Sequence, residues 1–187
     1  GDIDLKTEDK KIPPVNCEYA AYPVINTYGD LVLCCQDYHN NYVFGNIMEH
    51  LDTLKIKSTK IKQSHLYTLL KNLNIFNDVY KNAGAVHGCA LCHDTKPLVF
   101  IEDVGRHNAV DAIAGNMWLE SISGTNKIFY TTGRLTSEMI IKVAQMRIPV
   151  LLSRSGITKM GLSLAQDMNI TLLSRAKSKH FLIYNGA

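Results

Sequence analysis

The sequence predicts an α/β fold, a layered sheet with helices on its faces, and two observations lead to it. From residue 83 onward, short apolar runs rich in β-branched and aromatic residues alternate with longer segments of helical spacing. The composition is that of a globular domain with a core, since 46% of the 187 residues are hydrophobic and 20% are charged. Strands and helices that alternate in this way favour a layered sheet with parallel segments.

The N-terminal part of the chain predicts a smaller unit. Two β-rich runs, residues 19–26 and 31–35, flank a turn signal and predict a β-hairpin. Apolar residues with helical spacing over 42–51 predict a helix after the hairpin. The predicted organisation is a flexible polar arm at 1–15, a small N-terminal α+β subdomain at 16–76 and an α/β domain at 77–187.

Two further elements are predicted before the main domain begins. Lysine and isoleucine alternate over residues 55–62, as in a half-buried or edge strand. Ser64 is predicted to cap the following helix with its own hydroxyl. The buried stripe of that helix is predicted to consist of Leu66, Leu69, Leu70 and Leu73.

The main domain is predicted to alternate strands with helices along its whole length. A strand pair spans a turn at residues 93–96, and a helix follows the polar stretch after Glu102. Strands are predicted over 85–92, 97–101, 127–130, 150–152, 170–173 and 181–184, and helices over 109–119, 137–146 and 158–168.

The stretch of residues 102–111, EDVGRHNAVD, concentrates charged and polar side chains between an apolar run and a helical pattern. Gly105 allows the chain to turn there, because glycine tolerates a positive φ at little cost. The cluster is therefore predicted to lie where a strand ends and a helix begins, which is where ligands tend to bind in open α/β sheets. A plain set of surface salt bridges is the alternative interpretation.

Small polar or basic residues follow the later strands of this half as well. They occupy residues 131–134, 153–156 and 174–180, and Ser137 opens the helix after the first of these loops. Parallel strands place their carboxyl ends on one side, so these loops and Arg106 are predicted to form one basic rim. Helix N-termini and arginine both favour phosphate. Each loop by itself is an ordinary helix cap, and neither a Walker A sequence nor a strand-to-helix GxGxxG is present.

The chain has five cysteines, an odd count that favours a reducing cytosol over a secreted disulfide framework. Cys89 and Cys92 lie in the pattern CxxCH, which matches haem attachment and contains a CxxC that could bind zinc. On a strand the two side chains point to opposite faces, which argues against a shared metal. Packed core cysteines are the favoured interpretation.

Net charge and hydropathy exclude some classes of partner. The formal net charge is +3, too mild to indicate nucleic acid. No apolar run approaches the ~20 residues of a membrane helix, and no secretory signal opens the sequence. We therefore expect a cytoplasmic protein without a membrane or nucleic-acid partner.

Residues 102–111 closely resemble the signature of the formate dehydrogenase accessory sulfurtransferase family, FdhD. Three other segments of this chain resemble that family in order and spacing. They are residues 83–87 (AGAVH), 132–137 (TGRLTS) and 148–155 (IPVLLSRS), and residues 170–184 resemble its terminal segment. The resemblance covers roughly residues 83–185 and is thinner over 18–51.

The resemblance implies a cytidine-deaminase-like fold without the deaminase zinc site. It also implies an accessory factor that takes sulfur from a cysteine desulfurase and passes it to the molybdenum bis(guanine dinucleotide) cofactor of formate dehydrogenase. GDP-like nucleotides are expected to substitute for that cofactor. Glu102 and Asp103 are expected to orient Arg106 and His107. The residues expected to bind the cofactor are His87, Asp103, Arg106, His107, Gly133, Arg134, Ser137, Ser153, Ser155, Arg175, Ala176, Lys177, Ser178, Lys179 and His180.

The sequence departs from the family at two places. The family carries its persulfide on a CxxC in a loop whose counterpart here, residues 51–54, contains no cysteine. Cys89 and Cys92 are not assigned the catalytic role, which is left without a residue. The terminal Pro-Gly-Arg of the family is Ser178-Lys179-His180 here, which keeps positive charge and loses the arginine fork. A binding-only carrier of the cofactor is therefore the alternative function, and nothing in the sequence decides between a monomer and a homodimer.

Overall fold

Contacts along the backbone divide the chain into two units, Gly1–Glu49 and His50–Ala187. Helix α1 (Gln63–Phe76), which the sequence placed in the N-terminal subdomain, belongs to the second unit. The computed structural model describes residues 24–25, 30–32, 43–46, 55–57, 59–76 and 78–186.

The first unit contains a three-stranded antiparallel sheet of β1 (Val24–Ile25), β2 (Asp30–Val32) and β3 (Val43–Asn46). The predicted hairpin is confirmed, because Val24 pairs with Val32 and Ile25 with Leu31. The predicted helix is wrong over residues 43–46, which pair with β2. Valine and phenylalanine favour strands, and pairing with a neighbouring strand overrides local helical spacing. The arm at 1–15 and residues 47–51 lie outside the described part of the chain.

The second unit is built on a six-stranded mixed sheet in the order β5-β4-β6-β7-β8-β9. Strands β6, β7 and β8 are parallel, and the other neighbouring pairs are antiparallel. This arrangement confirms the predicted α/β class with parallel segments. The strands are β4 (His87–His93), β5 (Lys96–Asp103), β6 (Ile128–Thr131), β7 (Val150–Ser153), β8 (Thr171–Lys177) and β9 (His180–Asn185).

Helix α1 covers one face of this sheet, which we call the α1 face. Its predicted leucine stripe is buried, and it joins one apolar cluster with side chains of four strands. Burial of such side chains stabilises the fold by roughly 1.5–3 kcal/mol for each leucine-sized group. The strand members of the cluster are Ala90, Cys92, Ile128, Tyr130, Val150, Leu152, Leu173 and Ala176.

The opposite face of the sheet carries three helices, and we call it the α3 face. Helix α3 (Arg106–Leu119) packs against β4 and β5, and α5 (Lys159–Asp167) packs against β8, β9 and α4 (Ser137–Gln145). Successive strand residues point to opposite faces. Cys89, next to Ala90 of the α1-face cluster, accordingly faces the start of α3. A short helix, α2 (Asp78–Ala83), leads from α1 towards β4.

The segment before α1 differs from its prediction. Residues 55–57 and 59–62 form no strand, although Ile56 is buried as the alternating pattern suggested. The backbone N–H of Ile56 donates to Met168 O at 3.0 Å, and its carbonyl accepts from the Asn169 side chain at 2.8 Å. Two isolated hydrogen bonds thus hold Ile56 in place of pairing with a neighbouring strand. The helix begins at Gln63, which places Ser64 inside the first turn instead of at the cap.

Candidate functional site

The loops that carry the predicted site residues meet along one edge of the six-stranded sheet. Parallel strands β6, β7 and β8 end there, and antiparallel pairing brings the end of β5 and the starts of β4 and β9 to the same side. We call this the carboxyl edge. The predicted convergence of basic and hydroxyl-bearing loop tips is thus confirmed as a placement in the fold.

Arg106 is the first residue of α3 and lies against Gly133 in the loop after β6. A methyl group on Gly133 would come within 2.7 Å of Arg106 Cδ, so only glycine leaves room for this side chain. Arg106 Nε is buried and has no hydrogen-bond partner among the described residues. A buried donor without a partner costs roughly 1–3 kcal/mol, so this position favours an acceptor supplied from outside the chain.

Two histidines flank the Arg106 side chain, His87 at the start of β4 and His107 next to it in α3. Burial lowers the pKa of His87, and the Arg106 guanidinium lowers it further. Burial also lowers the pKa of His107, against the opposing influence of the Glu138 carboxylate. We call Arg106, His87 and His107 the Arg106 cluster. An anion bound here would favour the protonated imidazoles and raise both pKa values.

The partner that holds His107 was missed by the sequence analysis. His107 Nε2 lies 3.0 Å from Glu138 Oε2, and Glu138 stands in the first turn of α4. One turn further along both helices, Lys142 Nζ bonds both carboxylate oxygens of Asp111 at 2.6 and 2.7 Å. The helices are therefore tied by two acid–base pairs. The sequence did not reveal these pairs, because Glu138 and Lys142 stand four residues apart in α4, the spacing of an ion pair within one helix.

Asp103 lies at the end of β5 and bonds the turn into α3. Its Oδ1 accepts from Gly105 N at 2.7 Å and from Asn108 Nδ2 at 3.0 Å. Its carboxylate thus organises the turn into α3, and the prediction that it orients Arg106 and His107 stays a prediction. Glu102 points to the α1 face and accepts from Val79 N at 3.1 Å. Of the two acids in the motif, Asp103 therefore shapes the turn before Arg106, and Glu102 bonds α2.

Buried hydroxyls brace the loops behind the edge. Thr131 Oγ1 accepts from Gly133 N at 3.0 Å and from the Cys89 thiol at 3.3 Å. Ser153 Oγ donates to Gly133 O at 2.7 Å and accepts from Ser155 N at 2.9 Å. Ser153 is thus committed to the loops in this structure, and its predicted contact with phosphate stays a prediction.

The loops after β6 and β7 run side by side beyond the sheet. Leu135 N donates to Gly156 O at 2.9 Å, and Leu135 and Ile157 form a parallel bridge. Arg175 N donates to Ser155 O at 3.0 Å, which ties β8 to the same group of loops. A rigid backbone therefore supports the exposed side chains at this edge, which are those of Arg134, Arg175, Lys177, Ser178, Lys179 and His180.

A pocket opens on the α1 face near the same edge, with a volume of about 150 Å³. It was not predicted from the sequence, because it forms only where α1 passes beside the ends of three strands. We call it the α1-face pocket. It is lined by Leu70, Asn74, Tyr130, Arg154, Ala176, Lys177 and Ser178.

Cys89 and Cys92 are fully buried on opposite faces of β4, as predicted. Burial raises the pKa of Cys89 to about 11 and that of Cys92 to about 12. Reactive cysteines are thiolates with lowered pKa values and access to solvent. Neither thiol can attach haem or share a metal ion with the other in this arrangement. Cys17, Cys34 and Cys35 lie outside the described residues.

Comparison with known proteins gives a consistent result. The profile of the FdhD/NarQ family matches residues 25–187. The chain is 30% identical over 129 residues to the sulfur carrier protein FdhD of Bacillus subtilis strain 168, covering 69% of this chain and 49% of that protein. The sulfur carrier protein FdhD of Bacillus pumilus is 34% identical over 116 residues, covering 62% of this chain and 44% of that protein.

A solved structure shares the fold. A crystal structure described as that of a formate dehydrogenase accessory protein from Desulfotalea psychrophila aligns with a TM-score of 0.67 and 32% identity. The alignment covers 74% of this chain and 60% of the chain in that crystal structure. The chain spans about half the length of the two Bacillus relatives. No helix in the described residues is long and apolar enough to cross a membrane. Since the family profile matches most of its length, the chain belongs to the FdhD/NarQ family.

Proposed function

We propose that this chain is a cytoplasmic accessory factor in the maturation of formate dehydrogenase. It binds the molybdenum bis(guanine dinucleotide) cofactor at the carboxyl edge and promotes transfer of sulfur to it from a cysteine desulfurase. The observation that carries the proposal is the meeting of the Arg106 cluster and the basic loop tips at one edge. The names of the relatives, a sulfur carrier and a formate dehydrogenase accessory protein, support the same role.

The chemistry of the edge fits a ligand that carries phosphates. Three buried polar side-chain atoms in the described part of the chain lack a hydrogen-bond partner, and all three lie near this edge: Arg106 Nε, Thr136 Oγ1 and Ser174 Oγ. Arginine binds phosphate oxygens in a bidentate manner. The dinucleotide is cargo, and the molybdenum centre it carries is the acceptor of sulfur.

The residues that bind the dinucleotide contribute to binding through their positions and their charges. Asp103 sets the turn that points Arg106 at the edge, and Glu138 holds His107 beside it. His87 and His107 are largely neutral near pH 7 because burial lowers their pKa values. Each can take up a proton when a phosphate arrives, which adds positive charge only when the anion is present. The cytidine-deaminase-like relationship of the fold remains part of this proposal.

A binding-only carrier is the second candidate, and a specific observation favours it. The interval 51–54 has no cysteine, and Cys89 and Cys92 are buried with raised pKa values. The two candidates differ in whether this chain itself acquires a persulfide. Mass spectrometry after incubation with a cysteine desulfurase and cysteine decides between them. A mass gain of one sulfur atom on a cysteine peptide supports the sulfur carrier, and an unchanged mass supports the carrier of cofactor alone.

Calorimetric titration with GDP tests the binding site itself. Arg106→Ala removes a charged contact, and hydrogen bonds to charged groups contribute roughly 1.5–3 kcal/mol. We therefore expect GDP affinity to fall about 10- to 150-fold. Lys96→Ala is the matched control, since Lys96 is exposed in the β4–β5 turn at the opposite edge. Equal GDP affinity in the wild type and in Arg106→Ala would remove the proposed site.

A further inference from the structure

One nitrogen of the His107 ring is held by an acid on the neighbouring helix. Its Nε2 lies 3.0 Å from Glu138 Oε2, and Glu138 stands in the first turn of α4. An ionised carboxylate can only accept a hydrogen bond, so Nε2 is the ring nitrogen that carries the hydrogen. In the part of the chain that the structure describes, no residue bonds the other nitrogen, Nδ1. Glu138 therefore holds the neutral ring in its Nε2–H form and leaves Nδ1 available to a ligand.

Charged groups of both helices face the His107 ring. The cations are Arg106 and Lys142, and the carboxylates are Glu138 and Asp111. Lys142 bonds both oxygens of Asp111 at 2.6 and 2.7 Å, so these two opposite charges largely cancel. Burial lowers the pKa of His107, and Glu138 is the foremost influence that raises it. Once a bound anion offsets Arg106, the Glu138 carboxylate therefore favours the protonated ring.

His87, the other histidine of the Arg106 cluster, has a different environment. Burial lowers its pKa, the Arg106 guanidinium lowers it further, and no carboxylate acts in the opposite direction. Among the described residues no acid forms an ion pair with His87, whereas His107 has Glu138. The two histidines beside Arg106 therefore differ, since only His107 has a neighbouring acid that stabilises an added proton.

We propose that Glu138 is a positioning residue that directs proton uptake to His107 Nδ1, so that anion binding at the Arg106 cluster is coupled to protonation of this ring. In the free site the ring is neutral and Nδ1 carries no hydrogen. When a phosphate-bearing ligand binds, Nδ1 takes a proton from solvent and donates to the anion, while Nε2–H stays bonded to Glu138. This role rests on the proposed function and adds the regulation of that site by pH.

The coupling fixes how affinity depends on pH. Protonation of the ring on binding means that the complex holds more protons than the free site does. Affinity therefore rises as pH falls through the range in which only the complex is protonated, by at most about tenfold per pH unit for one proton. At higher pH the ring stays neutral in both states, and the contribution of Glu138 disappears.

Calorimetric titrations with GDP at about pH 6 and about pH 8 compare the wild type with Glu138→Gln. Glutamine keeps an oxygen that accepts from Nε2–H and removes the charge. Because the ion pair is half-exposed, the variant should bind GDP only about two- to fivefold more weakly at the lower pH. At the higher pH it should bind at least as tightly as the wild type. Protonation of GDP itself is common to both proteins and cancels in the ratio of their affinities.

Two controls separate this role from a general effect of charge or folding. Glu120→Gln removes the same charge at the far end of α3, where Glu120 is exposed, and should bind GDP as the wild type does at both pH values. In a His107→Gln background, Glu138→Gln should no longer weaken binding at the lower pH, because it acts through the ring. An effect of Glu138→Gln that persists without His107 would overturn the role given to Glu138.

The form of the ring can be measured without any ligand. Nitrogen NMR shifts of the His107 imidazole should show the Nε2–H form in the wild type and in Glu138→Gln, and a mixture of both forms in Glu138→Leu. An Nδ1–H ring in the wild type would overturn the inference, as would weaker GDP binding by Glu138→Gln to the same extent at both pH values. So would tighter binding at both, which simple repulsion between Glu138 and the anion predicts.

The same titrations distinguish failure of this inference from failure of the proposed function. GDP binding that depends on Arg106 but shows none of the expected effects of Glu138 would leave the proposed function standing and remove only the coupling. If the wild type bound no GDP at either pH, the proposed function would fall and the coupling with it.

Discussion

Replacing Gly133 by alanine should displace Arg106 without touching its charge. A Cβ at residue 133 would lie 2.7 Å from Arg106 Cδ and 3.2 Å from Arg106 Cβ. It would also lie 3.4 Å from Thr131 Oγ1, which is an ordinary contact. The methylene stem of Arg106 is the atom group that has to move, so the guanidinium leaves its present position. Gly133→Ala therefore tests whether the placement of Arg106, and not merely its charge, matters for the ligand.

The size of the effect follows from the contact that is lost. A charged hydrogen bond contributes roughly 1.5–3 kcal/mol, so we expect GDP affinity to fall about 10- to 150-fold. Added methyl groups in packed sites typically cost roughly 1–3 kcal/mol of folding free energy. Here we expect about 1 kcal/mol, because the clash is with a half-buried, flexible side chain. The variant should thus fold and bind poorly.

Calorimetry with GDP and urea unfolding measure the two quantities separately. Gly115→Ala is the matched control, since Gly115 lies in α3 and an added Cβ meets nothing within 4 Å. It should raise the free energy of unfolding by roughly 0.5–1 kcal/mol and leave GDP affinity unchanged. If Gly133→Ala folds normally and binds GDP as tightly as the wild type does, the proposal that Arg106 contacts the ligand from its present position is refuted.

Two further predictions concern the buried titratable groups. Cys89 and Cys92 should resist iodoacetamide in the folded chain and react only after unfolding, because burial raises their pKa values to about 11 and about 12. Peptide mapping by mass spectrometry checks this prediction. Rapid labelling of either cysteine in the folded chain would contradict it. The lowered pKa values of His87 and His107 mean that the unfolded chain binds protons more readily than the folded one around pH 6.5. The free energy of unfolding should therefore decrease as pH falls through this region. In a His87→Gln/His107→Gln variant, the free energy of unfolding measured with urea should decrease less steeply with falling pH than in the wild type. The same dependence on pH in both proteins would contradict the role given to the two histidines.

Most of the secondary structure of the second unit follows from local pattern. The leucine stripe of α1 has the period of a helix. The apolar runs of β6 and β7 have no period, and their short length indicates buried strands. The meeting of the loops at the carboxyl edge can also be predicted from the sequence, because parallel strands end on the same side of a sheet. The errors fall where pattern is ambiguous. Residues 43–46 have helical spacing and form a strand, whereas residues 55–57 and 59–62 have the alternating pattern of a strand and form none.

The family signature and the carboxyl edge were determined by the sequence alone, since both depend on residue order and on strand direction. Tertiary structure decided which groups face each other there. It paired His107 with Glu138, turned Asp103 towards its own backbone and brought Asn74 beside Arg154 and Lys177. These contacts join residues far apart in the chain, and their geometry depends on how helices pack on the two faces of a sheet. A local pattern carries no information about that packing, so these contacts could not be predicted from the sequence.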